Sequence, residues 1–397
     1  MKRTARPSRI LAWLVCLAMM PASSRLPAAT ATNPPAFIPE NPPAMQPLAG
    51  RDSPAYRAAR WFQRGVNLGD YLEAWPRQRG SVRVEPGEFA QMRRAGFDHV
   101  RVPVGWQHYA GPGPEFTLRP EIFAMVDYAV SNSVANHLAV MINVHHFDEL
   151  DADPAGATPE FLALWRQIAA HYAAYPDRLA FELDNEPHQH ATTAAMNPIN
   201  DRALAVIRQS NPHRPVLVEP GNWGGIDELK NLVLPPDDNL IVSVHCYEPF
   251  YFTHQGANWT DGQTPVTGIQ FPGPPPTPLI PDPALKLPPY LLDWIHRYNT
   301  LPAAENPASP LAFEAKLHYV RAWSDYYGRP AHLGEFGAYT RADGASRARF
   351  YAAFRQAAER EKLGWAVWDW NSGFRFWNQQ AGHPEPGMAE ALFGKFP

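Results

Sequence analysis

LAVMINVHHFDELDADPAGATPEFLALWRQIAAHYAAYPDRLAFELDNEPH, residues 138–188, holds two short apolar runs, 139–144 and 180–183, on either side of a longer stretch, 159–175, whose apolar residues recur every three or four positions. Short runs rich in Val, Ile and Leu suit buried strands, and the middle stretch suits an amphipathic helix. Strand, helix and strand in succession imply parallel neighbours in one sheet. The rhythm continues in both directions. Further runs lie at 64–68, 99–104, 215–218, 240–244, 331–333 and 365–368, and further helical patterns at 88–95, 120–136, 195–210, 311–327 and 345–362. Eight such units in one chain predict an α/β protein built as a single closed (β/α)8 TIM barrel. A doubly wound open sheet is disfavoured because no Gly-x-Gly-x-x-Gly follows the first strand.

One connection breaks the rhythm. Between the sixth and seventh strands, residues 265–310 carry 13 prolines and form a proline-rich insertion with at most a short helix near 291–298. Phe271, Tyr290, Leu291, Leu292 and Trp294 give it apolar anchors, so an ordered flap is expected rather than a disordered loop. At the other end, Lys2, Arg3, Arg6 and Arg9 precede an apolar run at 10–20 that is too short to span a bilayer. Residues 1–31 therefore read as a signal peptide, with Ala29-Thr30-Ala31 as a cleavage site, and the protein as secreted. A proline-rich leader, 32–55, would connect it to the barrel domain, 56–397.

The 397 residues carry 35 basic and 39 acidic side chains, a net charge of −4, which leaves no electrostatic footprint for nucleic acid and no polybasic membrane patch. Thirteen tryptophans suit a neutral ligand. Cys16 lies inside the signal, so Cys246 is left alone and no intramolecular disulfide is expected. Together these features predict a monomer with no nucleic-acid partner and no membrane attachment after signal removal.

A barrel of this kind builds its active site at the C-terminal ends of its strands, and here those ends are chemically loaded. The first strand ends in Asn67 and the second contains Arg101. His145-His146 close the third, Asn185-Glu186-Pro187-His188 the fourth, and His245-Cys246-Tyr247 the sixth. The fifth leads into Asn222-Trp223, the seventh ends in Glu335, and the eighth in Trp368-Asp369. Glu186 and Glu335 thus face each other across the mouth. Glycoside hydrolysis needs such a pair, one acid to protonate the leaving oxygen and one carboxylate to act at the anomeric carbon. Whether it retains or inverts depends on a separation the sequence does not contain. A metal site built from His145, His146, His188 and His190 is the competing chemistry; it is disfavoured because the first strand ends without a His-x-His. No cofactor or metal is expected.

The motifs RGVNLG, HVRVPVGW, NVHHFDEL, NEPH, VHCYEPFYFTHQGANW, LGEFGAY and VWDWNSGF, spread in this order from residue 64 to 374, resemble glycoside hydrolase family 5, the cellulases, mannanases and related β-glycanases. The chain looks most similar to the subfamily with thermophilic members active on both β-1,4-glucans and β-mannans. The resemblance implies Glu186 as general acid/base and Glu335 as nucleophile of a retaining mechanism. Arg101 and Tyr247 would hydrogen-bond Glu335, Asn185 the 2-hydroxyl of the sugar, and His245 would sit near Glu186. His145 and His146 would line the floor of the sugar site, with Trp368 as the stacking platform. Glu73, Trp223, His254 and Trp259 match positions lining the cleft further out. Asp70 and Asp369 replace Asn and Glu of the relatives and would meet sugar hydroxyls; Cys246, where Tyr is common, should be a packed thiol, because alternation turns it away from its neighbours. The implied activity is that of an endo-β-1,4-glucanase working through a covalent glycosyl-enzyme intermediate. The alternatives are an endo-β-1,4-mannanase or mixed-specificity β-glucanase and, in another class, a catalytically silent glycan-binding barrel.

Overall fold

The computed structural model describes residues 50–74 and 83–394; the signal and the leader up to residue 49 lie outside the described residues. Eight parallel strands close into a barrel: β1 (Arg64–Asn67), β2 (His99–Val102), β3 (Ala139–Asn143), β4 (Leu179–Glu182), β5 (Val216–Val218), β6 (Leu240–His245), β7 (Ala331–Phe336) and β8 (Gly364–Val367). Each strand pairs with the next, and β8 closes onto β1. The TIM barrel of the sequence reading is therefore the fold. β7 runs past the predicted end at 333, because the ladders on both sides absorb an irregularity around Gly334. Glu335 accordingly lies within the strand and pairs with His245.

The strands sort their residues by parity. Val140, Ile142, Phe181 and Val242 join the large outer core with the helices, whereas Ala139, Met141, Ala180, Leu217 and Ile241 form a smaller cluster inside the barrel. Two residues further along the same inward faces come Asn143, Glu182, Glu219 and Ser243, with His245 next on β6. The inside is thus apolar at the N-terminal end and polar at the C-terminal end, where the site lies.

The floor of the barrel comes from a segment the sequence reading divided. Helix Pro54–Ala59 starts with Ser53, whose side chain accepts from the Tyr56 N–H at 3.4 Å, and with Pro54 in the first turn. Its Ala55 and Ala58 pack with Phe62 against the inner cluster, and the Ala55 N–H donates to the Asp238 carbonyl at 3.1 Å. The domain boundary at 55/56 thus cuts a structural helix, and the barrel unit begins no later than Ser53. Close approach here also dictates Gly364: a Cβ on it would come within 2.0 Å of the Phe62 carbonyl oxygen.

Two other element boundaries move. The helix expected from 159 begins at Pro154, because Asp153 accepts from the Gly156 N–H and caps it; Pro159 lies within that helix, Pro154–His171. The helix of the insertion runs Pro289–Thr300, longer than expected. On it Leu291, Trp294, Ile295 and Tyr298 share one face, so Tyr290 and Leu292 fall on the other side and are exposed rather than anchors. Phe271 is buried against Phe252, Phe313 and Phe350, and Trp294 packs on Tyr251 with ring centroids 5.1 Å apart. Side-chain amides stand in for a sheet partner: Gln255 exchanges two hydrogen bonds with the Ile269 backbone, and Asn299 two with that of Leu279. The insertion is an ordered flap on the barrel flank, against helices Leu311–Tyr327 and Gly344–Arg360 and behind the loop that follows β6. No helix among the described residues is long and apolar enough to cross a membrane.

Candidate active site

Arg101, on the inward face of β2 and fully buried, organises the mouth. Its five N–H groups are all used: Nε to Glu182 at 2.6 Å, Nη1 to Asn67 at 2.9 Å and to Glu335 at 2.7 Å, Nη2 to Asn185 at 2.7 Å and to Glu219 at 3.4 Å. One cation thereby gathers strand ends β1, β2, β4, β5 and β7. Glu335 receives a second donor, the Tyr247 hydroxyl at 2.8 Å.

Glu186 sits in a short loop after β4 with a left-handed backbone, φ 52°, a conformation that a non-glycine residue keeps only when its surroundings hold it. The restraints are visible. The Asn185 N–H donates to the Val144 carbonyl, the Glu186 N–H to Glu219 Oε2 at 2.9 Å, and the His188 N–H to Asp151 at 2.9 Å. The Glu186 carboxylate meets His245 Nδ1 at 2.7 Å. His245 Nδ1 lies 3.8 Å from Glu335, and its Nε2 lies 3.2 Å from Glu219. One oxygen each of Glu186 and Glu335, with a nitrogen of His245, all fall within 4.8 Å of one another.

Proton positions follow from this crowding. Burial alone would depress His245, but Glu219, Glu335 and Glu186 around it push it well above the usual imidazole value, so it is cationic. Burial would raise Glu186, yet the hydrogen bond and charge of His245 hold it below the usual range. Glu335 is raised by burial, against the pull of His245 and Arg101. Burial pushes Glu219 up to about 7, while Arg101 outweighs burial at Glu182 and lowers it. The mobile proton of the mouth thus resides on the His245–Glu186 couple. Glu182, Glu219 and His245 form a second group with metal-ligand spacing. In both, however, a cationic imidazole has no lone pair to offer, and Arg101 already compensates the carboxylates.

The remaining predicted residues divide into those presented to the cleft and those turned away. His145 is buried and stacks parallel to Trp368, with centroids 6.0 Å apart at 10°, while His146, edge-on to His145 at 4.3 Å, is exposed. Trp223 is half exposed and stacks on His188 at 4.9 Å, and Trp259 is half exposed against Tyr339 at 4.8 Å. His254 is buried between Phe250 and Tyr247, and burial lowers it to about 4. Asp70 is exposed and accepts from the Ser372 hydroxyl. Two residues expected in the cleft do other work. Glu73 is buried and accepts the backbone N–H groups of Asp70, Tyr71 and Leu72, so it ties its own turn together. Asp369 is also buried and accepts from the Ser372 N–H at 2.6 Å and the Phe374 N–H at 3.0 Å. Neither presents a free carboxylate to a sugar. Cys246 is the packed thiol expected, pushed up to about 12 by burial.

Glu182 and Glu219 belong to the site but escaped the sequence reading. Signals for both existed: Glu182 interrupts an apolar run on its inward parity, and Glu219-Pro220 follows the fifth run as Glu186-Pro187 follows the fourth.

A parallel barrel whose strand ends bring two carboxylates together above a buried cation and beside exposed tryptophans has the layout of a glycoside hydrolase. Residues 66–373 match the family described as "Cellulase (glycosyl hydrolase family 5)", and the chain belongs to that family. It is 27% identical over 328 residues to Endoglucanase H of Acetivibrio thermocellus, covering 83% of this chain and 31% of that one. With Endoglucanase 3 of Fibrobacter succinogenes it shares 25% over 350 residues, 80% of this chain and 51% of that one. The chain thus spans about a third of one of these curated relatives and about half of the other. Among solved structures, it superposes on an endoglucanase with TM-score 0.75 and 32% identity, covering 86% of this chain and 100% of the other. Thermotoga maritima Cel5A in complex with mannotriose gives TM-score 0.73 at 31% identity, covering 85% and 100%, and the same enzyme has been solved with cellobiose.

Proposed function

We propose that this chain is a secreted, retaining endo-β-1,4-glucanase. The observation that supports the retaining mechanism is that one carboxylate oxygen of Glu186 and one of Glu335 lie within 4.8 Å of each other. Retaining pairs stand about 5–5.5 Å apart, whereas inverting pairs leave about 6.5–9.5 Å for a water between them. Glu335, oriented by Arg101 and Tyr247, attacks the anomeric carbon; the bond to the leaving sugar breaks, and its oxygen takes the proton of the His245–Glu186 couple, delivered by Glu186. Water then gives a proton to Glu186 and displaces Glu335 from the sugar. Asn185 is fixed by Arg101 through its carbonyl oxygen, and its buried Nδ2 has no partner among the described residues, which suits a donor to the 2-hydroxyl. Trp368, Trp223 and Trp259 supply apolar faces for successive sugars. A silent glycan-binding barrel would need these aromatics, but not two carboxylates held by Arg101, Tyr247 and His245. Export is supported by the basic start and apolar run that precede residue 31.

The structure of Thermotoga maritima Cel5A with mannotriose keeps β-mannan as the second reading. The deciding experiment is product analysis on carboxymethyl-cellulose, lichenan, glucomannan and galactomannan in parallel, with Glu335→Ala as control. Internal cleavage of the β-1,4-glucans, abolished by roughly 10³-fold or more in Glu335→Ala, is the expected result. Cleavage confined to the mannans would replace glucanase by mannanase, and undiminished hydrolysis by Glu335→Ala would overturn the mechanism.

A further inference from the structure

Resting on that reading, we infer that Glu219 is a positioning residue for acid catalysis, holding Glu186 through its backbone and through His245 at the same time. Glu219 is 2% exposed, directly follows β5, and touches no part of the Glu186 carboxylate. Its two oxygens divide the work. Oε2 accepts the Glu186 N–H at 2.9 Å and so anchors the left-handed backbone that aims the acid. Oε1 lies 3.2 Å from His245 Nε2, on the far side of the imidazole from the 2.7 Å contact between Nδ1 and Glu186. That contact on the far side keeps the ring oriented with Nδ1 toward Glu186. When the proton of the couple passes through Glu186 to the leaving oxygen, the carboxylate and the imidazole already stand in contact. When water returns a proton in the second step, nothing has to move.

The packing leaves Glu219 little freedom. Gly224, with φ +62°, passes so close that a Cβ on it would lie 2.8 Å from Glu219 Oε2 and 3.2 Å from His245 Cγ. Arg101 Nη2 reaches Glu219 Oε1 from below at 3.4 Å. The residue thus links the cation that serves the nucleophile to the imidazole that serves the acid.

The experiment compares two substrates that differ in their need for an acid. Glu219→Gln keeps the shape and puts an amide nitrogen in place of one of the two oxygens that face the Glu186 N–H and His245 Nε2. Its kcat/KM on cellopentaose, whose leaving sugar must be protonated, should fall at least roughly tenfold, part of the roughly 10²–10⁴ that general acid catalysis contributes. Its kcat/KM on 2,4-dinitrophenyl β-cellobioside, whose leaving group departs unprotonated, should stay within roughly threefold of the parent. Should the Gln variant fail to fold, Glu219→Asp keeps the carboxyl group but withdraws it by one methylene, and should show the same selective loss to a smaller degree. Equal losses on both substrates, or no loss on either, would overturn the assignment. A parent enzyme inactive on both would instead overturn the glucanase reading, and this inference with it.

Discussion

Around His245 and Arg101 the chemistry depends on how two cations are shared among four carboxylates. Glu335 must be ionised to attack, and burial raises it, so activity falls on the acid side at a pH above the ordinary carboxylate range. The proton needed for departure is kept on the Glu186–His245 couple, and His245 is raised well above its usual value, so activity is lost only when that couple deprotonates at higher pH. A bell-shaped dependence of kcat/KM is expected; activity still climbing beyond about pH 9 would refute it. Because His245 meets Glu186 through Nδ1 and Arg101 binds Glu182 and Glu335, a strong chelator should leave the rate unchanged, and inactivation restored by a divalent ion would favour the metal alternative. Glu186, Glu335, Arg101 and Tyr247 were legible because polar residues ending apolar runs at a barrel mouth have few other uses. Asp369 satisfies the same rule, and Glu73 was placed in the cleft by the family resemblance, yet both are buried. Their carboxylates turn back onto neighbouring backbone N–H groups, and nothing in a strand-end position distinguishes a side chain facing a ligand from one closing its own turn.

At the scale of elements, the helix Pro54–Ala59 shows why a proline-rich leader and a domain boundary do not coincide. A chain starting at residue 56 loses the Ser53 cap, Pro54 and the buried Ala55, whereas one starting at 50 keeps them. Cap loss alone costs about 1 kcal/mol, and the opened floor adds to it, so the shorter chain should melt several degrees lower by calorimetry; equal melting temperatures would mean the helix is dispensable. The insertion teaches a related lesson. Its order was anticipated from apolar anchors, but which residues anchor it depends on helix phase, and moving the start to Pro289 puts Tyr290 and Leu292 outside. The hydrogen bonds of Gln255, Asn299 and Asn306 that replace regular pairing there link residues far enough apart that no local pattern announces them.

For the molecule as a whole, buried carboxyl groups set how stability responds to pH. Burial pushes Glu73 up to about 8, Glu219 and Asp369 up to about 7, and Asp151 up to about 6. The folded chain therefore holds protons that the unfolded chain has released, so the stability from these groups is complete below their unfolded values and is lost as pH rises through 6 to 8. Glu182 and Asp237, held low by Arg101 and Arg208 against burial, act in the opposite sense and fail below the ordinary carboxylate range. The melting temperature should peak near about pH 5 and decline toward about pH 8; a melting temperature that rises over that interval would contradict this balance. The barrel itself, its eight strands and the two carboxylates across its mouth follow from the sequence alone, because burial imposes a period of two or about 3.6 on every element and the chain order then determines which strand ends meet. Only the tertiary structure decided that Glu182 and Glu219 belong to the site, that Glu73 and Asp369 accept from backbone N–H groups of their own turns, and how close Glu186 and Glu335 come. The gathering of the site depends on contacts between residues 34 to 234 positions apart around Arg101, joined by those around His245, and no local period encodes them.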